Sequence, residues 1–430
     1  MSETVFKYGS RGDGVRLLQL ALRRAGYFPH VPDGVFGPGT QGAVRRFQSA
    51  NGLLPDGIAG PKTLSKAEPF YTGFLPHTLR AGDTFYRLAK RFGTTADAIA
   101  AANPALDPAE LPIGREITIP LGFRLTPTDI PYSSELCGLI IRGLAARYPF
   151  VSAETIGRSV LGKPIEALKL GRGKREVFIN SAHHANEWIT TPLVLDFIES
   201  YAKAYSERGA IEGRSAARLF DSVTLYAVPM VDPDGADLVN GAVSSGGYAR
   251  AREISRDHPD IPFPSGWKAN IEGTDLNLNY PAEWDEARRV KFALGFTRPA
   301  PRDFVGSAPL SAPESRAVYE FTRAHDFSLT LSYHTQGGEI YWRFGDIEPE
   351  GAERIAAAMG EASGYAPAEV PKGSSYAGYR DWFILEYRRP GFTVEAGRGE
   401  NPLPLSQYGE LRADNFPLMV TALEAAGNNL

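Results

Sequence analysis

Three apolar runs in this chain each end in a group that can bind a metal or move a proton, and that recurrence narrows the fold more than any other feature. Val177-Phe178-Ile179 passes through Asn180, Ser181 and Ala182 into His183, His184 and, three residues on, Glu187. Phe327 to Tyr333 ends in His334, and Phe392-Thr393-Val394 ends in Glu395. A further apolar run covers Val223 to Val231. Helical patterns lie between them; the first begins near Thr190 and carries Leu193, Leu195, Phe197 and Ile198. Alternation of this kind predicts a mixed α/β sheet covered by helices, with strands over 175–180, 223–231, 327–333 and 391–395. In such sheets the crevice outside the carboxyl ends of the strands is open to ligands.

The chemistry of those ends is that of a metal site. Zinc takes imidazole nitrogen and carboxylate oxygen, and a catalytic zinc keeps three protein ligands with a fourth position for water. His184 and Glu187, three apart, can be aimed at one point by a single turn; His183 and Glu187, four apart, are the competing pair. His334 is the natural third ligand. Glu395 can act as general base if it reaches a metal-activated water; a structural ion pair with Arg398 is the other reading of it. Trp267-Lys268-Ala269-Asn270 adds a cation, and Asp275-Leu276-Asn277-Leu278-Asn279 adds an acid and two amides. His30, His77, His258 and His325 have no partner at ligand spacing and read as surface or structural.

Bulk properties exclude several classes. A chain of 430 residues suggests two to four domains. A net charge of -4 argues against a nucleic-acid partner. Cys137 is the single cysteine, so no intrachain disulfide forms; set in an apolar pattern, it reads as a buried, inert thiol. No apolar run approaches the ~20 residues of a membrane span. Met1 to Ser10 is polar and lacks the apolar core of a secretory signal. The expectation is a cytoplasmic or spore-associated protein, one exported by another route, or one whose signal has been removed.

The N-terminal third is built differently. Asp33-Gly34-Val35-Phe36-Gly37-Pro38-Gly39-Thr40 recurs as Asp56-Gly57-Ile58-Ala59-Gly60-Pro61-Lys62-Thr63. Each copy predicts a turn whose threonine caps the next helix. Val15, Leu18, Leu22 and Ala25 share one helix face, as do Ala43, Val44, Phe47 and Ala50. With Leu18-Gln19, Gly26-Tyr27, Phe47-Gln48 and Gly52-Leu53, these turns make the unit resemble the peptidoglycan-binding domain 1 family, a three-helix wall-binding module. Pro69 to Pro76 reads as a linker. Beyond it, Thr78-Leu79-Arg80 is strand-like, Ala81-Gly82-Asp83-Thr84 turns into a helix ended by Gly93, and a second helix stops at Asn103-Pro104 before a strand at Ile117-Ile119. Arg80 to Thr84, Phe92 to Thr95, Ala102 to Pro104 and Ile113 to Pro120 resemble a LysM module, a family that binds N-acetylglucosamine-containing glycans.

From Thr126 onward the chain resembles the zinc carboxypeptidase family. The matching stretches are His184-Ala185-Asn186-Glu187-Trp188, Pro233-Asp234-Gly235, Gly273-Thr274-Asp275-Leu276-Asn277, His334 and Thr393-Val394-Glu395. The resemblance implies one zinc ion on His184, Glu187 and His334, with Glu395 as general acid/base. It implies that Asp275 orients a ligand histidine and that Lys268 stands where the family has an arginine polarising the scissile carbonyl. It also implies a mobile tyrosine capping the substrate, at Tyr376 or its rival Tyr379. Asn277 is retained from the Asn-Arg pair that holds a terminal carboxylate, but Leu278 replaces the arginine. Together with the wall modules, this departure resembles the bacterial γ-D-glutamyl-L-diamino acid endopeptidases, which cut γ-D-glutamyl–meso-diaminopimelate bonds in peptidoglycan stem peptides. Arg380 or Arg398 then meets a diaminopimelate or glutamate carboxylate. The alternatives are a metallocarboxypeptidase of altered specificity on soluble peptides, or a non-catalytic wall-binding protein. The expected organisation is α/β overall: residues 1–68 a small three-helix peptidoglycan-binding domain, 76–121 a βααβ LysM module, and 126–430 a mixed-sheet zinc carboxypeptidase-like domain. The expected partners are peptidoglycan glycan strands and stem peptides, with no nucleic acid and no membrane.

Overall fold

The computed structural model describes residues 5–370 and 376–428. The chain forms two compact units, one of the residues up to Ile130 with Gly138–Phe150, the other of Pro131–Cys137 with Val151 onward.

In the first unit, helices Asp13–Arg24, Pro38–Ala50 and Pro61–Thr72 close around Val15, Leu18, Leu22, Phe36, Val44 and Phe47. The repeated turns have a shared cause. Gln19 Nε2 donates to Asp33 Oδ1 at 2.7 Å, Val35 O at 3.1 Å and Thr40 Oγ1 at 3.0 Å, while its Oε1 accepts from Gly34 N at 2.8 Å. Gln48 repeats the pattern with Asp56 at 2.8 Å, Ile58 at 3.0 Å, Thr63 at 3.1 Å and Gly57 at 2.9 Å. A buried amide must be satisfied, and each turn supplies every partner it needs. This corrects the capping expectation: Gly37 and Gly60 hold the N-cap positions, prolines follow, and the threonines face the buried glutamines.

The same unit contains an antiparallel pair, β1 (Phe74–Thr78) and β2 (Glu116–Pro120), over helices Phe85–Phe92 and Ala96–Ala102. Thr84 and Thr95 cap these helices through Arg87 N at 3.2 Å and Ala98 N at 3.1 Å. Two expectations change here. Residues 69–76 are not a linker: the third helix runs through Pro69 to Thr72, and Gly73 at φ 78 turns the chain directly into β1. The strand therefore ends at Thr78 instead of starting there.

The second unit is built on an eight-stranded mixed sheet. Its strands are β3 (Val151–Arg158), β4 (Pro164–Gly171), β5 (Arg175–Ser181), β8 (Val223–Val228), β9 (Phe327–His334), β10 (Glu339–Tyr341), β11 (Ala366–Ala368) and β12 (Gly391–Glu395); β6 (Ala210–Ile211) and β7 (Arg214–Ser215) form a separate hairpin. The order is β11-β10-β12-β9-β5-β8-β4-β3. The centre, β12-β9-β5-β8, is parallel, so its strands are buried on both faces and read as near-continuous apolar runs. β8 stops at Val228 because Pro229 has no N–H to continue the ladder. The segment 232–275 contains helices Pro233–Val239 and Ser245–Ser255. Cys137 is buried, and burial pushes its thiol up. Among the described residues, no helix is long and apolar enough to cross a membrane.

Candidate active site

The site begins where β5 ends. Ala182 has φ 52, a left-handed conformation that a residue with a β-carbon adopts at a cost of about 1 kcal/mol. Thr190 Oγ1 accepts its N–H at 3.1 Å, and its carbonyl accepts from Asp232 N at 3.0 Å. The bend leads into a 3₁₀ turn, Ala185–Glu187. At three residues per turn, positions three apart eclipse, so His184 and Glu187 face the same way. His183 faces elsewhere: its Nε2 meets the Tyr280 hydroxyl at 2.9 Å in the core.

His334 closes β9 and completes the cluster. His184 Nδ1 lies 2.9 Å from Glu187 Oε1 and 3.2 Å from His334 Nδ1, which lies 2.9 Å from Glu187 Oε2. An ion with ligand bonds of about 2.0–2.1 Å in tetrahedral geometry separates its ligand atoms by about 3.3 Å, close to these values. Two imidazoles and a carboxylate are the donor set of a catalytic zinc site, and zinc fits here. Asp275 Oδ1 accepts from His184 Nε2 at 3.1 Å, which leaves the Nδ1 lone pair facing the cluster. Glu187 is held by Thr335 N at 3.2 Å, Lys268 Nζ at 3.0 Å and Asn401 Nδ2 at 3.4 Å.

Glu395 ends β12 directly across the ladder from His334 and lines the same cleft, of about 680 Å³. Burial first, and the Glu187 carboxylate second, push its carboxyl up to about 8. Burial also disfavours the Lys268 ammonium, but Glu187 and Asp275 together more than offset it and hold Lys268 above the usual lysine range. His184 reaches about 9: burial and Lys268 oppose its charge, and Glu187 and Asp275 more than compensate. A proton or a metal ion is thus strongly favoured between these carboxylates.

The cleft also contains Asn277, whose Oδ1 accepts from Tyr379 N at 3.0 Å, and Leu278. Arg380 is 4% exposed; its Nε donates to Asp381 Oδ1 at 3.0 Å, and its Nη1 is buried without a partner. Arg398 is exposed and does not line the cleft, and among the described residues it makes no ion pair with Glu395. Tyr376 packs against the cluster of Leu278, Trp284 and Val305. Tyr379 is fully buried, with its hydroxyl 3.0 Å from Thr322 Oγ1. Neither tyrosine lines the cleft, and residues 371–375 just before them lie outside the described residues. Sequence reasoning missed Asn401, Tyr341 and Arg302, all of which line the cleft. The residue pattern gave no signal for Asn401. Arg302 lies in a loop where no residue spacing marks it.

Comparison with known proteins agrees with this geometry. A family described as zinc carboxypeptidase matches residues 140–416, a putative peptidoglycan binding domain matches 11–66, and a LysM domain matches 77–120. The chain is 39% identical over 303 residues to gamma-D-glutamyl-L-diamino acid endopeptidase 1 of Lysinibacillus sphaericus, covering 70% of this chain and 75% of that protein. It is 42% identical over 267 residues to the uncharacterized protein YqgT of Bacillus subtilis (strain 168), covering 61% and 69%. In fold it is similar to bovine thrombin-activatable fibrinolysis inhibitor bound to tick carboxypeptidase inhibitor, with a TM-score of 0.54, 20% identity, and coverage of 70% of this chain and 99% of that one.

Proposed function

The chain belongs to the zinc carboxypeptidase family, and from that premise we propose that it hydrolyses the γ-D-glutamyl–meso-diaminopimelate amide of peptidoglycan stem peptides. The observation that carries this reading is the convergence of His184, Glu187 and His334 beside Glu395 in a chain that also carries two modules of wall-binding families. We assign wall binding to residues 1–68 and 76–121, and hydrolysis to 126–430.

The roles follow from position. His184, Glu187 and His334 would hold the zinc, and Asp275 fixes the His184 tautomer. Such an ion would supply Lewis acidity toward the scissile carbonyl and acidify a nearby water. Glu395 takes the water's proton and returns it to the leaving amine. A group whose carboxyl is raised toward neutrality is suited to both halves of that transfer. Lys268 holds the carbonyl oxygen as charge develops on it, as a point charge without the bidentate fork of an arginine. Asn277 and Arg380 bind on the leaving-amine side, where the buried, unsatisfied Nη1 of Arg380 suits a diaminopimelate carboxylate. Arg398 lies outside the cleft lining.

Mass analysis of products from a defined stem peptide, with and without chelator, tests the reading. New ends at the γ-glutamyl bond that disappear with chelator are expected; a purely C-terminal ladder would overturn it. Arg380 also favours a second reading, an exopeptidase clamping a terminal carboxylate. Such an enzyme fails on a peptide blocked as its C-terminal amide, whereas the endopeptidase cuts it.

A further inference from the structure

One cation in the cleft has no part in the chemistry above. Arg302 lies in the segment that pairs with Lys268: Lys268 N and Ala269 N both donate to Pro301 O, at 2.8 and 2.9 Å. One residue on, Asp303 N donates to Asp275 Oδ2 at 3.1 Å, which ties the segment to the carboxylate that orients His184. Arg302 is therefore fixed beside Lys268 and the metal ligands. The charges of Asp275 and Glu187 both act on it, and its own charge acts on Lys268.

Its guanidinium is also held in orientation. Asp303, itself gripped by Lys291 Nζ at 2.6 Å, accepts from Arg302 Nε at 2.6 Å. That bond uses one corner of the fork. Among the described residues, no protein group accepts from the two Nη nitrogens, and the side chain, 44% exposed, lines the cleft. Lys268 is already paired with Glu187 and Arg302 with Asp303, so what remains to be met is the Nη edge of the guanidinium.

Resting on the proposed hydrolysis, we infer that Arg302 binds the free α-carboxylate of the γ-linked D-glutamyl residue and so tells a D-glutamyl from a D-isoglutaminyl stem. The assignment of sides comes from the groups each arginine accompanies. Arg380 stacks on Tyr341, 5.8 Å from its ring, and Tyr341 pairs with Thr393 on the strand that carries Glu395, the group serving the leaving amine. Arg302 accompanies Lys268, which serves the carbonyl oxygen. The scissile carbonyl belongs to the glutamyl residue, and a γ-linkage leaves that residue's α-carboxylate on the acyl side, a few bonds away. A D-isoglutaminyl residue, whose α-carboxyl is amidated, presents a neutral group there. A site built to bond a charged group discriminates strongly against an analogue without it, because its own donors are then left unpaired.

The test uses the full-length zinc-loaded protein and two peptides, L-Ala-γ-D-Glu-meso-diaminopimelate and its D-isoglutaminyl counterpart with an α-carboxamide. We expect the unmodified protein to prefer the carboxylate in kcat/KM by about 10- to 100-fold, mostly through KM, as befits a charge-assisted bond. Arg302→Gln should bring that ratio close to one, and Arg302→Lys should leave it intermediate because charge remains without the fork. The subsite is overturned if the unmodified protein cuts both peptides equally, or if Arg302→Gln slows both by the same factor. If Arg302→Gln does not fold, the unmodified protein's ratio and that of Arg302→Lys decide. If neither peptide is cut by zinc-loaded protein, the hydrolase reading itself falls, and the subsite with it.

Discussion

Glu395, half-buried, and Glu187, buried, are neighbouring carboxylates, an arrangement that favours a proton or a cation between them. Glu395→Gln keeps the shape and removes the base. The expected result is a fall in kcat of about 10³-fold with zinc content unchanged, measured by stem-peptide turnover and metal analysis. Asp275→Asn loosens the hold on His184 and should weaken zinc binding by about 10- to 100-fold in a chelator competition. Away from the cleft, burial pushes the Glu314 carboxyl up to about 7, against hydrogen bonds from Asn270 Nδ2 at 3.0 Å and Val160 N at 3.0 Å. Its folded pKa lies above its unfolded value, so its stabilising share is full below about 4.5 and is lost as pH rises through about 7, a change of about 3 kcal/mol at most. Unfolding by urea at pH 5 and pH 8 should show that slope. Glu314→Gln should flatten it while lowering stability throughout, since an amide there sets donor against donor. The metal ligands were legible because each sits at the end of an apolar run or one turn beyond it. Arg302 and Asn401 were not, because tertiary pairing with Lys268 and Thr335 brings them in, and no local spacing records that.

At the level of elements, the two glutamine-centred turns explain why the same eight-residue pattern occurs twice. Gln48→Ala leaves Gly57 N, Thr63 and Asp56 without their shared partner, a loss of about 2–4 kcal/mol. Hydrogen exchange should show Gly57 and its neighbours losing protection while β5 and β9 keep theirs. The helices of this unit were readable from their apolar faces, and the turns from Asp-Gly and Gly-Pro. The threonine role was misread because a capping threonine and one facing a buried amide have the same sequence context. Pro69 misled for a related reason: a proline usually ends a helix, yet here one more turn forms before Gly73 terminates it.

For the whole molecule, wall-binding modules joined to a hydrolase act through effective concentration and add nothing to the chemical step. Soluble N-acetylglucosamine oligomers should therefore slow hydrolysis of insoluble wall while leaving a short soluble stem peptide unaffected, and assays on the two substrates in parallel check this. The α/β class and the positions of the central strands could be read from the sequence, since buried parallel strands are continuous apolar runs. Strand order could not, because the runs carry no record of which neighbour each one meets. Side chains on a strand alternate between faces, and Glu395 stands level with His334 across one ladder. Inserting a single residue in the turn before Gly391 would shift that pairing by one and carry the carboxylate to the opposite side of the sheet. Such a protein could still fold and bind zinc while being chemically mute, so its activity hangs on the parity of one short connection.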